Sequence, residues 1–219
     1  MAGGIRTKDI ELEYGDVVVA NQIAYYERGS VDKGSFRIKK GNLIKTARPL
    51  LQAAEFEIRD GKWLQLVNPK PNVKAITGLV ISGEKVQKDS SSVYFSGVQH
   101  EFPDAVAVEM EGFAFYSACD AEGVPMLMVR SISDLMDDKN SDAAGGDDRR
   151  QKRASSHAAA FALQLVKNIS PTSFLEEASF SDRATYLIKV ESPRGKLPTI
   201  VQALEDAKVV LKSLNEVDP

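Results

Sequence analysis

The sequence predicts an α/β fold in which helices cover both faces of a mostly parallel sheet. Three apolar runs, residues 15–20, 74–83 and 105–108, have the composition of strands that are buried on both faces. Helical patterns alternate with these runs along the chain, and this order is typical of parallel strands joined by crossover helices. With 43% hydrophobic residues, the 219-residue chain can form a sizeable core.

The first half of the chain contains a polar segment and two predicted helices. Residues 21–40 are locally basic and predict either a solvated loop or hairpin, or a segment that contacts phosphate or another subunit. Arg28 and Arg37 are the candidates for such contacts. Residues 43–58 predict a helix with one apolar face, and residues 94–102 predict a shorter one.

The central stretch, residues 105–134, predicts strand, helix and strand. The helix covers residues 112–121 and ends before Gly123, the usual residue after a last helical turn. A second apolar run, residues 126–129, then leads into the polar residues 130–134. Polar side chains therefore follow two successive strands, at the edge where open α/β sheets bind ligands.

Two carboxylates of this stretch, Glu111 and Asp134, are the candidate catalytic residues. The sequence between them has the length of about one crossover, so we expect them on neighbouring strands, facing one crevice. An ionised carboxylate can accept both hydrogen bonds of a sugar diol, and a second carboxyl can protonate a leaving group. Helix capping is the alternative for both residues, since acidic side chains favour helix N-termini.

An aspartate-rich loop extends from Asp134 to Asp148. Its spacing does not match an EF-hand, which needs glycine at the sixth position and glutamate at the twelfth, so we predict a solvated loop without a metal. Residues 149–169 then predict the clearest helix of the chain.

The character of the sequence changes after the last of these helices. We therefore predict one domain over residues 1–170 and a C-terminal extension over residues 171–219, with a strand at 184–190 and a helix at 198–214. A narrow heptad-like seam along this last helix suits packing on the main domain, or contact with a further domain or partner.

Composition excludes several broad classes of protein. A net charge of −3 gives no field that favours nucleic acid or an anionic membrane. No apolar run approaches the roughly 20 residues that span a bilayer, and the first residues lack a signal-peptide core. The single cysteine, Cys119, fits a reducing compartment. We expect a cytoplasmic protein.

Several cofactor and catalytic motifs are absent. There is no G-x-G-x-x-G opening a helix, no P-loop and no G-x-S-x-G, so the sequence predicts no cofactor. His100, His157 and Cys119 are predicted to be structural or exposed rather than catalytic.

Five segments together resemble the nucleoside phosphorylase superfamily, most of all its methylthioadenosine/S-adenosylhomocysteine nucleosidase branch. They are V-A-V-E-M-E-G, G-V-P-M-L-M-V-R-S-I-S-D-L, G-L-V-I-S-G, G-D-V-V-V and the opening A-G-G. The resemblance covers about residues 2–169. It implies a three-layer α/β/α sandwich around a mixed, mostly parallel, partly barrel-like sheet. It also implies an N-terminally truncated fold, without the segment that carries the water-activating glutamate or the phosphate site.

The resemblance implies cleavage of the N-ribosidic bond of a purine nucleoside or nucleotide. Glu111 would hold the ribose 2′- and 3′-hydroxyls, Met110 would pack on the sugar, and Glu109 would support the site. Asp134 would donate a proton to purine N7, and Ser133 would position that aspartate. An anionic site near the ribose and a neutralised leaving group both lower the barrier to an oxocarbenium-like state.

The base side of the site is implied by the same resemblance. Ser82 and Gly83 begin the loop that would frame the purine, with Val86 and Gln87 nearest to it. Val86 stands where the family has an aromatic that stacks on the base. Family members are usually dimers or hexamers, so we expect a homo-oligomer or part of a longer or multidomain protein. Three functions stay open: nucleosidase, phosphorylase and non-catalytic purine-binding module.

Overall fold

The computed structural model describes residues 1–33, 35–39, 43–67, 72–85, 92–136 and 146–169. The predicted C-terminal extension lies outside the described residues, as does most of the aspartate-rich loop. The elements in chain order are β1 (Ala2–Gly4), β2 (Val17–Tyr25), β3 (Gly29–Asp32), β4 (Ser35–Ile38), β5 (Leu43–Lys45), α1 (Arg48–Asp60), a short 3₁₀ helix (Lys62–Leu66), β6 (Ala75–Ser82), α2 (Val93–Glu101), β7 (Ala105–Glu109), α3 (Gly112–Ala121), β8 (Val129–Leu135) and α4 (Gly146–Asn168). Within these ranges, every helix is too short or too polar to cross a bilayer.

Six strands form the central sheet in the order β5-β2-β6-β7-β1-β8, and β2 also pairs with β8. This last pairing closes five of the strands into a barrel-like ring, with β5 attached outside it. The parallel ladder between β2 and β6 is the longest of the sheet, while the antiparallel ladders of β1, β5 and β8 are short. The sheet is therefore mixed and mostly parallel, as predicted.

Strand β2 explains why the sheet is covered on both faces. Val17 and Val19 pack with Trp63 and Phe161, on the side of α1 and α4. The alternate residue Val18 belongs to a second cluster that includes side chains of α3. Because neighbouring residues of a strand face opposite ways, a strand between two helical layers must be apolar throughout. The resulting arrangement is a three-layer α/β/α sandwich.

The structure corrects two of the predicted boundaries. Strand β2 continues through residues 21–25, where the charge pattern predicts a loop or hairpin; the hairpin of β3 and β4 begins only after it. The helix predicted from residue 43 begins at Arg48, because residues 43–45 form β5 and pair with β2. Sheet pairing supplies an alternative to the helical pattern that the local sequence favours.

A third correction concerns the site. Glu111 and Asp134 were expected on neighbouring parallel strands, but β1 lies between β7 and β8. Gly3 pairs with Val108 on one side and with Asp134 on the other, antiparallel to β7 and parallel to β8. Moreover, Asp134 lies within β8 rather than after it, because β1 and β2 provide hydrogen-bonding partners for residues 129–135.

The loop before β2 is anchored by a buried histidine of α4. His157 is 2% exposed, and its Nδ1 donates to the Gly15 carbonyl oxygen at 2.7 Å. Burial is the main cause that lowers the pKa of His157 below its ordinary value of 6.5, and the nearby Arg153 adds to it. The Gly15 carbonyl acts in the opposite direction. His157 is thus a structural residue of the core, as predicted.

Replacement of Gly78 by alanine should destabilise the sheet. A Cβ at Gly78 would lie 2.4 Å from Val106 Cγ2, so β6 and β7 would have to separate. We expect a loss of about 1–3 kcal/mol in the free energy of unfolding, measured by urea denaturation. The control is Gly97→Ala on α2, where a Cβ meets no atom within 4 Å and should stabilise the helix by about 0.5–1 kcal/mol. Equal effects of both substitutions would contradict this packing.

Acidification should destabilise the protein through His157. The folded pKa is lowered, so below about pH 6.5 the unfolded chain binds more protons than the folded chain, and the free energy of unfolding decreases as pH falls. His157→Gln should flatten this dependence between about pH 5 and pH 7 in urea denaturation. His100→Gln, which changes an exposed residue of α2, serves as the control. If the free energy of unfolding of His157→Gln depended on pH as steeply as that of the unsubstituted chain, His157 would not be the cause of the acid destabilisation.

Candidate functional site

Three parallel strands bring their carboxyl ends together at one edge of the sheet. Tyr25 of β2 pairs with Ser82 of β6, and Ser82 pairs with Glu109 of β7. All three are the last residues of their strands. The polar and aromatic groups of this edge therefore come from three separate parts of the sequence, and the turn from Glu109 into α3 adds Met110 and Glu111.

Glu109 is the buried centre of this edge. Its side chain is 1% exposed and accepts hydrogen bonds from the backbone N–H groups of Glu111 at 3.0 Å and Gly112 at 2.8 Å. These donors open α3, so Glu109 satisfies N–H groups that lack partners within the helix. Glu111, for which capping was the alternative, occupies the N-cap position but makes no side-chain capping bond. The capping role belongs to Glu109.

Arg130 joins the two glutamates. Its Nη2 donates to Glu109 Oε2 at 2.7 Å and to Glu111 Oε2 at 2.9 Å. The side chain of Arg130 is only 9% exposed, whereas that of Glu111 is 52% exposed. One nitrogen thus fixes a buried carboxylate and an open one. Since two carboxylates face one guanidinium, the cluster carries one net negative charge and can accept O–H donors and stabilise a cationic group.

Asp134 and Ser133 lie on β8, on the other side of β1. Ser133 is 5% exposed, and its Oγ donates to Asp134 Oδ2 at 3.1 Å. Asp134 is half-buried and pairs with Gly3, which in turn pairs with Val108 next to Glu109. The two parts of the predicted site are therefore adjacent across a single strand, and glycine at this position adds no side chain between them.

An aromatic pair stands beside the glutamates. The rings of Tyr25 and Phe113 are stacked with centroids 5.1 Å apart, and Ser82 Oγ accepts the Phe113 N–H at 3.2 Å. Burial, and then the nearby Glu27, raise the pKa of the Tyr25 hydroxyl, which stays neutral. Met110 is 41% exposed next to this edge. The apolar and polar groups suit a flat ring that carries hydrogen-bonding substituents.

Three residues of this edge are not among those that the sequence predicts for the site: Arg130, Tyr25 and Phe113. The available signal is the position of Arg130 at the start of R-S-I-S-D, where the pattern predicts only the polar end of a strand. The two aromatic residues are far apart in sequence, and no local pattern predicts that they stack. A search for a buried cation opposite the E-M-E carboxylates could have found the arginine.

Four further residues that the sequence predicts for the site are either not described by the structure or exposed. Val86 and Gln87 lie outside the described residues. Arg28 and Arg37 are exposed, next to and within the hairpin of β3 and β4. Their role in binding phosphate or a second subunit stays a prediction.

Comparison with known proteins identifies relatives of this fold. The family model described as phosphorylase superfamily matches residues 1–167. A 5′-methylthioadenosine/S-adenosylhomocysteine nucleosidase from Colwellia psychrerythraea, solved with adenine, is 26% identical with a TM-score of 0.57, over 75% of this chain and 62% of that one. This chain thus spans less than two thirds of the length of the Colwellia protein.

Two further solved structures share the fold. The corresponding nucleosidase from Neisseria meningitidis, in complex with methylthio-immucillin-A, is 24% identical with a TM-score of 0.57, over 77% of this chain and 67% of that one. That from Streptococcus pneumoniae, in complex with 8-aminoadenine, is 21% identical with a TM-score of 0.56, over 77% and 66%. At these identities the likeness concerns the fold.

Loss of Arg130 should be far more costly than loss of an exposed cation. In Arg130→Met, the buried Glu109 loses its counter-ion, and we expect a decrease of about 3–5 kcal/mol in the free energy of unfolding. Lys152→Met removes an ion pair with Asp148 whose side chains are 65% and 71% exposed, and should cost less than about 1 kcal/mol. Urea denaturation measures both, and similar small losses would show that Arg130 is not needed to balance Glu109.

Proposed function

Because the chain belongs to the phosphorylase superfamily, we propose that it hydrolyses the N-ribosidic bond of an adenine nucleoside or nucleotide. One observation carries the proposal: Arg130 holds the exposed carboxylate of Glu111 at the carboxyl edge of the sheet, and Asp134 lies across one strand from that edge. A carboxylate for the ribose and a carboxyl for the base are two of the groups that this hydrolysis uses, and the third is a group that activates water.

On the ribose side, Glu111 is proposed to accept hydrogen bonds from the 2′- and 3′-hydroxyls. Its Oε2 is fixed by Arg130 while the side chain is half open to solvent, so the carboxylate can be oriented before a ligand arrives. The partly exposed Met110 would pack on the sugar. Positive charge develops on the ribose as the bond breaks, and the net negative charge of the Glu109–Arg130–Glu111 cluster stabilises it.

On the base side, Asp134 is proposed to donate a proton to purine N7 as the bond breaks. Protonation turns the purine into a neutral leaving group: the C1′–N9 bond breaks, its electron pair stays on the purine, and the proton moves from the Asp134 carboxyl to N7. Water then forms the new C1′–O bond and releases a proton, and Asp134 is reprotonated from solvent. The Ser133 hydroxyl orients that carboxyl through its contact with Oδ2. Ser82 and Gly83 would lie along the purine, together with Val86 and Gln87.

The adenine preference rests on the relatives. The Colwellia structure is a complex with adenine, and the Streptococcus structure is a complex with 8-aminoadenine. The stacked Tyr25 and Phe113 provide an aromatic surface at this edge, whereas Val86 replaces the base-stacking aromatic expected in the family.

Two alternatives have an observation in their favour. Exposed Arg28 and Arg37 would suit the phosphate groups of a nucleotide, and with them a hydrolase that acts on AMP or ATP. A non-catalytic purine-binding module is favoured by the coverage of 62% of the Colwellia nucleosidase, since a water-activating group can lie in the unmatched part. A homo-oligomeric or multidomain arrangement and a cytoplasmic location belong to the same proposal.

Adenine release separates these functions. The purified chain is incubated with adenosine, methylthioadenosine, AMP and ATP, with and without phosphate, and free adenine is quantified. Release without phosphate supports the hydrolase, and strict dependence on phosphate supports a purine nucleoside phosphorylase. Binding that Glu111→Ala abolishes, without any release, supports the module.

Substitution of the two carboxylates should affect different steps. Asp134→Asn should lower kcat by about 10²–10⁴-fold, because an amide cannot donate the proton. Glu111→Gln should lower kcat/KM and weaken nucleoside binding, while the binding of free adenine changes little. The control is Glu122→Gln, which changes an exposed carboxylate just after α3. Unchanged turnover in Asp134→Asn would show that Asp134 is not the proton donor.

A further inference from the structure

The residues that follow β6 are fixed to the end of β2 by one aromatic side chain. Tyr26 comes directly after β2 and is fully buried. Its N–H donates to the Ser82 carbonyl oxygen at 3.1 Å, and its hydroxyl donates to the Lys85 carbonyl oxygen at 3.2 Å. Tyr26 therefore contacts the backbone at both ends of residues 82–85, which we call the β6 terminal segment.

The ring of Tyr26 also lies against the middle of this segment. A Cβ at Gly83 would stand 2.4 Å from Tyr26 Cζ and 2.6 Å from its Cε1, far below any tolerated contact. The backbone of Gly83 thus lies against the hydroxyl-bearing end of the ring, and no side chain fits between them. The segment has little freedom to move towards β2 while Tyr26 is in place.

An ion pair provides a second attachment of the segment. Lys85 Nζ lies 2.9 Å from Glu27 Oε1 and 5.8 Å from the centre of the Tyr94 ring. The side chain of Lys85 is 64% exposed, so this pair alone contributes little. Glu27 is different, because its side chain is only 8% exposed and needs a counter-ion. The ion pair therefore adds to the attachment of the β6 terminal segment, whose position is set mainly by Tyr26.

The same segment reaches the candidate site on its other side. The Gly83 N–H donates to the Glu109 carbonyl oxygen at 3.1 Å, and Ser82 Oγ accepts the Phe113 N–H at 3.2 Å. A shift of the β6 terminal segment would thus move the residues proposed to line the purine and loosen the start of α3. Tyr26 lies on the other side of the segment, next to β2.

We propose that Tyr26 is a positioning residue for the purine: its ring and hydroxyl hold the β6 terminal segment at the geometry in which Ser82 and Gly83 contact the base. The inference rests on the proposed function for the identity of the ligand. Tyr26 should therefore affect the binding of the purine. It should not affect the donation of the proton, which is the proposed role of Asp134.

The first test needs no ligand. Tyr26→Phe keeps the ring and removes only the hydroxyl, and hydrogen exchange of the Gly83 amide is followed by NMR in the free protein. We expect exchange to be faster by about fivefold, the effect of losing one ordinary hydrogen bond. Tyr14→Phe, a partly exposed tyrosine whose ring stacks on Arg150, is the control and should leave the Gly83 amide unchanged. Equal exchange in Tyr26→Phe and the unsubstituted chain would overturn the proposal.

The second test separates positioning from general stability. In the adenine-release assay, Tyr26→Phe should raise KM by about three- to tenfold, with kcat and its pH profile within about twofold of the unsubstituted chain. The dissociation constant for adenine should rise by a similar factor. Faster exchange with unchanged KM and adenine binding would overturn the positioning role, as would a fall in kcat alone. If the unsubstituted chain releases no adenine, the proposed hydrolysis fails, while exchange and adenine binding still decide the role of Tyr26.

Discussion

The buried contact between Arg130 and Glu109 joins the elements on which the rest of the site depends. One carboxylate oxygen of Glu109 accepts a hydrogen bond from the Arg130 guanidinium on β8, and both oxygens accept hydrogen bonds from the N–H groups that open α3. The backbone carbonyl of Glu109 accepts a further hydrogen bond from the N–H of Gly83, just after β6. A carboxylate with so little solvent contact is tolerated only when its partners are all present. The orientation of α3 and the placement of Glu111 therefore depend on one ion pair, and the backbone of the same glutamate holds the end of β6.

The local sequence predicts those parts of the fold whose burial is uniform along the element. Strands β2, β6 and β7 are enclosed on both faces, so each is a run of apolar residues, and α4 has a clear helical period. Strands β1 and β5 could not be predicted in this way. Each has three residues, and each exists because a longer strand offers it hydrogen bonds. Such pairings depend on tertiary neighbours, which no local window contains.

The candidate site, too, has a part that the local sequence predicts and a part that depends on tertiary contacts. The motifs E-M-E and S-I-S-D indicated which carboxylates to consider, because acidic residues near strand ends suggest chemistry. The sequence could not show that Glu109 is enclosed while Glu111 is open, since the two residues differ in burial and not in type. Nor could it show Arg130 between them, or the stack of Tyr25 on Phe113. Those relations arise only when distant segments meet.

Strand β1 also determines the order in which this architecture can form during synthesis. Its residues are made before their partners Val108 and Asp134, which come more than 100 residues later in the chain. Pairings between such distant segments are slow, because the intervening chain loses entropy when they form. A nascent chain that ends just after E-M-E therefore contains β1 and β7 but still lacks β8, which carries Asp134. The two carboxylates can therefore come together only after β8 has been made and has paired with β1.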